Sequence, residues 1–257
     1  MIPAATSPAP AAGQILAIAS GKGGVGKTWF AITLTQALAR QGLRVVLVDA
    51  DLGLANVDVQ LGFQPARDLS AVIGGVVTAE EAAIAHPGGF DILAGRSGSG
   101  ALAMLDAGSL AAVLATLPRL AARWDRVVVD LGAGLEAPQR RIAAAADTLL
   151  VVATEEPTSL TDAYAVLKLH GRDRPGGDAR VVVNLAADSV AGARTHAALA
   201  RAAATFLKRE VPLAGVIRRD ARVRDTIRHQ APLLTRHPGC NAARDVEAIA
   251  RSLAAAP

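Results

Sequence analysis

The sequence predicts a single-domain, doubly wound α/β fold around a mostly parallel sheet, and three observations carry that prediction. Short apolar runs rich in Val, Ile and Leu recur at 14–20, 44–48, 90–93, 126–131, 148–153, 180–184 and 213–217. Longer stretches with apolar residues at helical spacing separate most of them, at 27–41, 109–123, 159–170, 193–207 and 220–230. Aromatic residues make up 3% of the chain while 51% of it is hydrophobic, so Ala, Val, Leu and Ile must fill the core. That mixture suits helices packed on a Val-rich parallel sheet better than two stacked antiparallel sheets.

Each element follows from local pattern. Most of the short runs are apolar throughout, as strands covered on both faces require. The segment at 27–41 follows a Gly-rich loop and opens the first helix. The stretch at 173–178, with Pro175, Gly176 and Gly177, is a turn-rich loop and not a domain boundary. A last helix at about 242–253 places Val246, Ile249, Ala250 and Leu253 on one face, which suits packing on the sheet. No internal repeat is present. Residues 1–13 are rich in Ala, Pro and Ser, without the charged and apolar regions of a signal peptide, and are expected to be disordered. Residues 14–257 form the one domain.

Composition narrows the function classes. A single cysteine, Cys240, permits no internal disulfide and no paired-cysteine metal site, and fits a reducing compartment. No apolar run reaches the roughly 18 residues of a membrane span, so a cytoplasmic protein is expected. The net charge is +4, and apart from Lys22, Lys27, Lys168 and Lys208 the positive side chains are Arg. His86, His170, His196, His229 and His237 show no ligand spacing and read as surface or loop residues.

The chemistry lies in Gly21-Lys22-Gly23-Gly24-Val25-Gly26-Lys27-Thr28, which has the spacing of a P-loop, follows a predicted strand and opens a predicted helix. Glycines let the loop curl so that its backbone N–H groups point at phosphate oxygens, and the helix N-terminus adds its dipole. Lys27 is placed to neutralise the β- and γ-phosphates of ATP, and the Thr28 hydroxyl to ligate Mg²⁺. Two further apolar strands end in carboxylates, at Asp49 with Asp51 and at Asp130. Ligands of open α/β sheets sit at the carboxyl ends of strands, so these three acids are expected to converge on Lys27 and Thr28. There they could hold the metal's water or orient the attacking one.

Lys22, directly before the paired glycines, matches the deviant Walker A motif of the MinD/ParA superfamily, and the chain resembles that family from about 14 to 230. The resemblance implies that Lys22 reaches a partner's nucleotide in an ATP-dependent homodimer. It implies that Asp51 is the first switch carboxylate governing hydrolysis, and that Asp130 is the Walker B aspartate leading the second switch. Asn184 matches an asparagine that reads the adenine ring. Within the superfamily, the stretches 49–58, 130–134 and 156–164 are most similar to the FlhG family of flagellar-number regulators, also called FleN or YlxH. In that family the last stretch, which begins at Glu156, helps form the dimer face. The implied activity is a slow, regulatory ATPase that positions or counts flagella. Its implied partners are the GTPase FlhF or flagellar switch proteins.

Three departures qualify the likeness. Residues 1–13 lack the Asp-Gln-Ala segment by which many FlhG proteins stimulate FlhF. Arg218 stands where the family often has Pro. The last helix has only Arg244 and Arg251 for positive charge and no aromatic residue, so membrane binding is expected to be weak or absent, with any peripheral location reached through partners. Rival readings are a ParA-like DNA partition ATPase and a MinD-like division-site ATPase. Arg218, Arg219, Arg222, Arg224 and Arg228 could grip DNA phosphates, but a solvated Arg-rich face is the favoured reading. A metabolic P-loop enzyme comes third, because no further cluster marks a second-substrate pocket.

Overall fold

The structure is a computed structural model that describes residues 13–51, 55–95 and 107–255. The segment 1–12 and residues 52–54 of the first switch stretch, expected to be disordered and to rearrange respectively, lie outside the described residues.

The sheet has eight strands in the order β3-β4-β2-β5-β1-β6-β7-β8. They are β1 (Gln14–Ala19), β2 (Val45–Ala50), β3 (Ile84–His86), β4 (Phe90–Leu93), β5 (Arg126–Leu131), β6 (Thr148–Ala153), β7 (Asp178–Ala186) and β8 (Leu213–Arg218). All neighbours run parallel except β3 and β4, which pair antiparallel at one edge. The central strands β2 and β6 are buried at every position, which explains why their sequences are apolar without alternation.

Helices cover both faces. One layer contains α1 (Lys27–Ala39), α2 (Val57–Leu61), α10 (Leu233–Arg236) and α11 (Asn241–Ala254). The other contains α3 (Leu69–Ile73), α4 (Ala79–Ala82), α5 (Ala107–Arg123), α6 (Ala137–Ala145), α7 (Pro157–Asp173) and α8 (Ser189–Ala202). A short helix α9 (Ala221–Arg228) rests its Val223 on the first layer. Helix α1 is buried nearly all round, and its Thr33 and Thr35 hydroxyls satisfy themselves on carbonyls one turn back, each at 2.8 Å. Helix α11 buries Ala242, Ala243, Val246, Ile249, Ala250 and Leu253, the face the sequence predicts. Gly215 of β8 makes room for it, since a Cβ there would sit 2.5 Å from Ile249 Cγ1.

Several boundaries differ from the sequence expectation. The helix expected at 193–207 begins at Ser189, capped by Asp188, and closes in a π-helical turn, Ala203–Leu207, after which Lys208 adopts φ 52°. Strand β3 and helices α2, α3, α4, α6 and α10 escaped the sequence reading. His170 is not a surface residue; it lies inside α7 with 4% exposure. Cys240 caps α11, accepting from Ala243 N at 3.4 Å, and burial pushes its thiol pKa up.

Candidate nucleotide-binding site

The phosphate loop spans the gap between the end of β1 and the start of α1. Gly24 (φ 80°) and Gly26 (φ 85°) take left-handed conformations that side chains disfavour. On one side the loop leans on α7, where a Cβ at Gly21 would lie 2.6 Å from the Asp162 carbonyl oxygen. On the other side Asn184, at the far end of β7, donates from Nδ2 to the Val25 carbonyl at 2.8 Å. Gly23 and Gly24 have nothing within 4 Å of a would-be Cβ, so this part of the loop presents its backbone to open space.

Three of the expected residues meet at one corner. Lys27 Nζ donates to Asp130 Oδ1 at 3.0 Å, with side-chain exposures of 7% and 1%. The Thr28 hydroxyl reaches the same carboxylate. Burial raises the Asp130 pKa, Lys27 and Thr28 draw it back, and the charge of Asp51 adds to the rise. Asp130 Oδ2 is buried without a hydrogen-bond partner among the described residues. A buried acceptor left so is costly unless a further donor or cation completes it. Asp51 stands at the edge of this corner, its Oδ1 3.1 Å from a would-be Cβ on Gly132. The stretch that follows β5 meets the end of β1 through Gly134 N, which donates to Ser20 O at 3.0 Å.

Asp49 does not join them, although it pairs in register with Asp130 across β2 and β5. Its carboxylate accepts from the backbone N–H groups of Asp51 (3.2 Å), Asn56 (3.0 Å) and Val57 (3.0 Å). Burial, reinforced by Asp130, pushes its pKa up to about 7 despite those three donors. Asp49 therefore ties Asp51 to the start of α2 at Asn56 and Val57, its carboxylate committed to these backbone groups.

Lys22 lies outside that corner. Its Nζ donates to Glu156 Oε2 at 2.8 Å and to Thr158 Oγ1 at 3.3 Å, both at the start of α7. The exposed pair raises the Lys22 pKa and lowers that of Glu156. Arg218 is bound to α11, with its guanidinium on both oxygens of Asp245 at 2.9 and 2.7 Å, and so is withdrawn from the basic stretch.

Sequence reasoning missed some supports of the site. Ser159 Oγ accepts from Thr154 N at 2.9 Å, fixing the turn between β6 and α7, and Glu155 Oε1 accepts from Ala187 N at 3.2 Å. Thr154 and Glu155 directly follow a strand, so the rule that singled out Asp49 and Asp130 applies to them also.

This geometry can be set beside known proteins. The model of the CobQ/CobB/MinD/ParA nucleotide-binding domain matches residues 16–233. The antiactivator FleN of Pseudomonas aeruginosa is 37% identical over 240 residues, covering 93% of this chain and 86% of that one. The flagellum site-determining protein YlxH of Helicobacter pylori is 30% identical over 190 residues, covering 74% of this chain and 64% of that one. Among solved structures, the septum site-determining protein MinD of Pyrococcus horikoshii, complexed with Mg-ADP, superposes with a TM-score of 0.79 at 23% identity, covering 93% and 95% of the two chains. The chain therefore belongs to the MinD/ParA family of nucleotide-binding proteins, in the branch of the FlhG-type (FleN/YlxH) flagellar regulators.

Proposed function

We propose that the protein is a dimerising ATPase switch that regulates flagellar number or placement. The observation carrying this reading is the buried Lys27–Asp130 pair at the mouth of the phosphate loop, with Asp130 Oδ2 left without a partner. A lysine on a carboxylate beside an open backbone cradle is what a triphosphate with its divalent cation fits. Lys27 is free to turn from Asp130 to phosphate oxygens, and Thr28, Asp51 and Asp130 form an all-oxygen donor set suited to Mg²⁺. Bound Mg²⁺ supplies neutralisation of charge on the transferring phosphoryl group.

The chain's own residues do the rest. The loop N–H groups and Lys27 orient the phosphates and stabilise charge developing on them. Asp51 orients the attacking water. Lys22 leaves Glu156 to reach the nucleotide of a second copy, which makes dimerisation depend on ATP. Asn184, bonded to the Val25 carbonyl, links the loop to the base end of the site. Glu156 and the start of α7 lie beside Lys22 and form part of the dimer face. Because Asp49 ties Asp51 to Asn56 and Val57, changes at the γ-phosphate reach α2 on the surface, where a partner such as FlhF or a flagellar switch protein can read them.

The likeness to FleN over nearly the whole chain supports the flagellar role. Tethering to DNA has less support, since Arg218 is committed to Asp245. The test is light scattering with ATP and with ADP, together with complementation of a bacterial strain lacking its FleN. An ATP-dependent dimer and restored flagellar number are expected. A monomer under both nucleotides would defeat the switch, and unrestored number the flagellar role.

A further inference from the structure

A cleft of about 820 Å³ opens at the end of the sheet opposite the phosphate loop, where β7 begins. It lies between α7, the turn leading into β7 and the segment that follows the π-helical turn, and it is lined by Lys168, Arg172, Lys208 and Arg209. Four lysines occur in the chain: two belong to the phosphate loop and the other two line this cleft. In a protein whose remaining cations are Arg, that placement singles out the cleft.

The lining concentrates positive charge that its own acids do not match. Lys168 and Arg172 are one turn apart on the same face of α7, a spacing at which like charges repel. Neither Lys168 nor Lys208 has an ion-pair partner among the described residues. Lys208 takes a left-handed conformation, uncommon for a residue with a side chain, at the end of a π-helical turn. Such backbone outliers concentrate where function requires them. Arg209 is held rigidly, donating to the Gly177 carbonyl and lying 3.3 Å from Nδ1 of the buried His170. Of the two acids in the lining, Asp178 is engaged by Arg180 at 2.9 Å, leaving Glu210. Phe206, adjacent in the chain to Leu207 of the lining, is 74% exposed.

We infer that this cleft binds a phosphate-bearing anion, presented by a lipid headgroup or by a soluble phosphate monoester. Its volume lies in the range of small-ligand sites. Lysine ammonium groups serve as phosphate-binding point charges. The exposed Phe206, next in the chain to Leu207 of the lining, is the apolar contact that a lipid source would use.

The test uses the full chain loaded with ADP, so that the phosphate loop is already filled. Sedimentation with phosphatidylglycerol vesicles, against phosphatidylcholine vesicles, measures the lipid source; calorimetry with glycerol 3-phosphate measures the soluble one. The wild type is expected to bind at least one probe. Lys168→Gln with Lys208→Gln, both exposed positions, is expected to weaken that binding roughly 30-fold, at about a factor of five per lysine. Arg224→Gln with Arg228→Gln removes the same charge elsewhere and is expected to leave it within about threefold. Vesicle binding that Phe206→Ser also weakens identifies the lipid source; glycerol 3-phosphate binding indifferent to Phe206→Ser identifies the soluble one. Failure of both probes with the wild type, or equal losses in the two double variants, overturns the inference.

Discussion

Lys27→Ala should do two separable things. It removes the cation that faces the phosphates, so ATP binding is expected to be lost. It also strips Asp130 of its buried partner, and that second effect can be measured without nucleotide. Both side chains of the pair are almost fully enclosed. Removing one member of such a pair costs about 3–5 kcal/mol. In a chain of this size about 2–4 °C of melting temperature accompanies each kcal/mol, so Tm falls by roughly 6–20 °C. The carboxyl can relieve part of this by taking a proton. Burial already raises its pKa, and Lys27 is the largest influence holding it down. Without Lys27 the folded state binds more protons than the unfolded one between the ordinary carboxylate range and the raised value. Stability of the variant therefore declines as pH rises through that window. Adding Asp130→Asn should recover most of the loss in Tm and none of the ATP binding. Calorimetric melting of the nucleotide-free proteins at two pH values, with an ATP titration beside it, reads all three. Equal melting of Lys27→Ala and wild type, or no rescue by Asp130→Asn, would show that the pair carries no such energy; unchanged ATP affinity would remove the phosphate-loop assignment.

Other changes test other parts of the molecule. Lys22→Ala is expected to keep most of its ATP affinity and lose ATP-dependent dimerisation, while Asp51→Ala accumulates as an ATP-bound dimer; light scattering separates them, and a normal Lys22→Ala dimer refutes the role in trans. Gly21→Ala drives a methyl group against Asp162, 2.6 Å from its carbonyl oxygen, and overpacking of this kind costs about 1–3 kcal/mol, so both Tm and ATP affinity should drop; wild-type values for both would show that the loop has room to shift. Burial, with Arg209 and Arg174 nearby against Asp173 and Asp178, lowers the His170 pKa to about 4. The folded state thus binds fewer protons than the unfolded one, and stability is lost as pH falls from the ordinary imidazole range toward that value; His170→Gln should flatten this part of the urea-midpoint profile, and an unchanged slope counts against it.

The site was more legible in the sequence than the elements around it. Binding phosphate demands glycines, a lysine and a hydroxyl at fixed spacing, so the chemistry of 21–28 is written in consecutive residues. Buried parallel strands declare themselves by unbroken Val and Leu runs, as in β2 and β6. Helix α6 gave no such signal, because among its residues only Ile142 and Ala143 are buried. Helices α3 and α4 are each about one turn long, too short for periodicity to show. Strand β3 spans three residues at the antiparallel edge. The role of Asp49 was hidden for another reason. Its place at the carboxyl end of an apolar strand, like that of Asp130, suggested a shared task, but the backbone at Asn56 and Val57 folds back over it, and the return path of a chain cannot be read from the strand before it. The contact between Lys22 and Glu156 likewise joins positions 134 residues apart.

Helix α11 limits how this protein can be handled. Its apolar stripe closes over β8 and packs against α1, the helix whose first residue is Lys27. A truncation before Asn241 would here uncover Ile217 and the flank of α1, so the shortened product should aggregate or lose nucleotide. Helix α11 is thus a support of α1 and, through it, of the residue that opens α1, Lys27, and a fusion or tag is better attached beyond it than substituted for it.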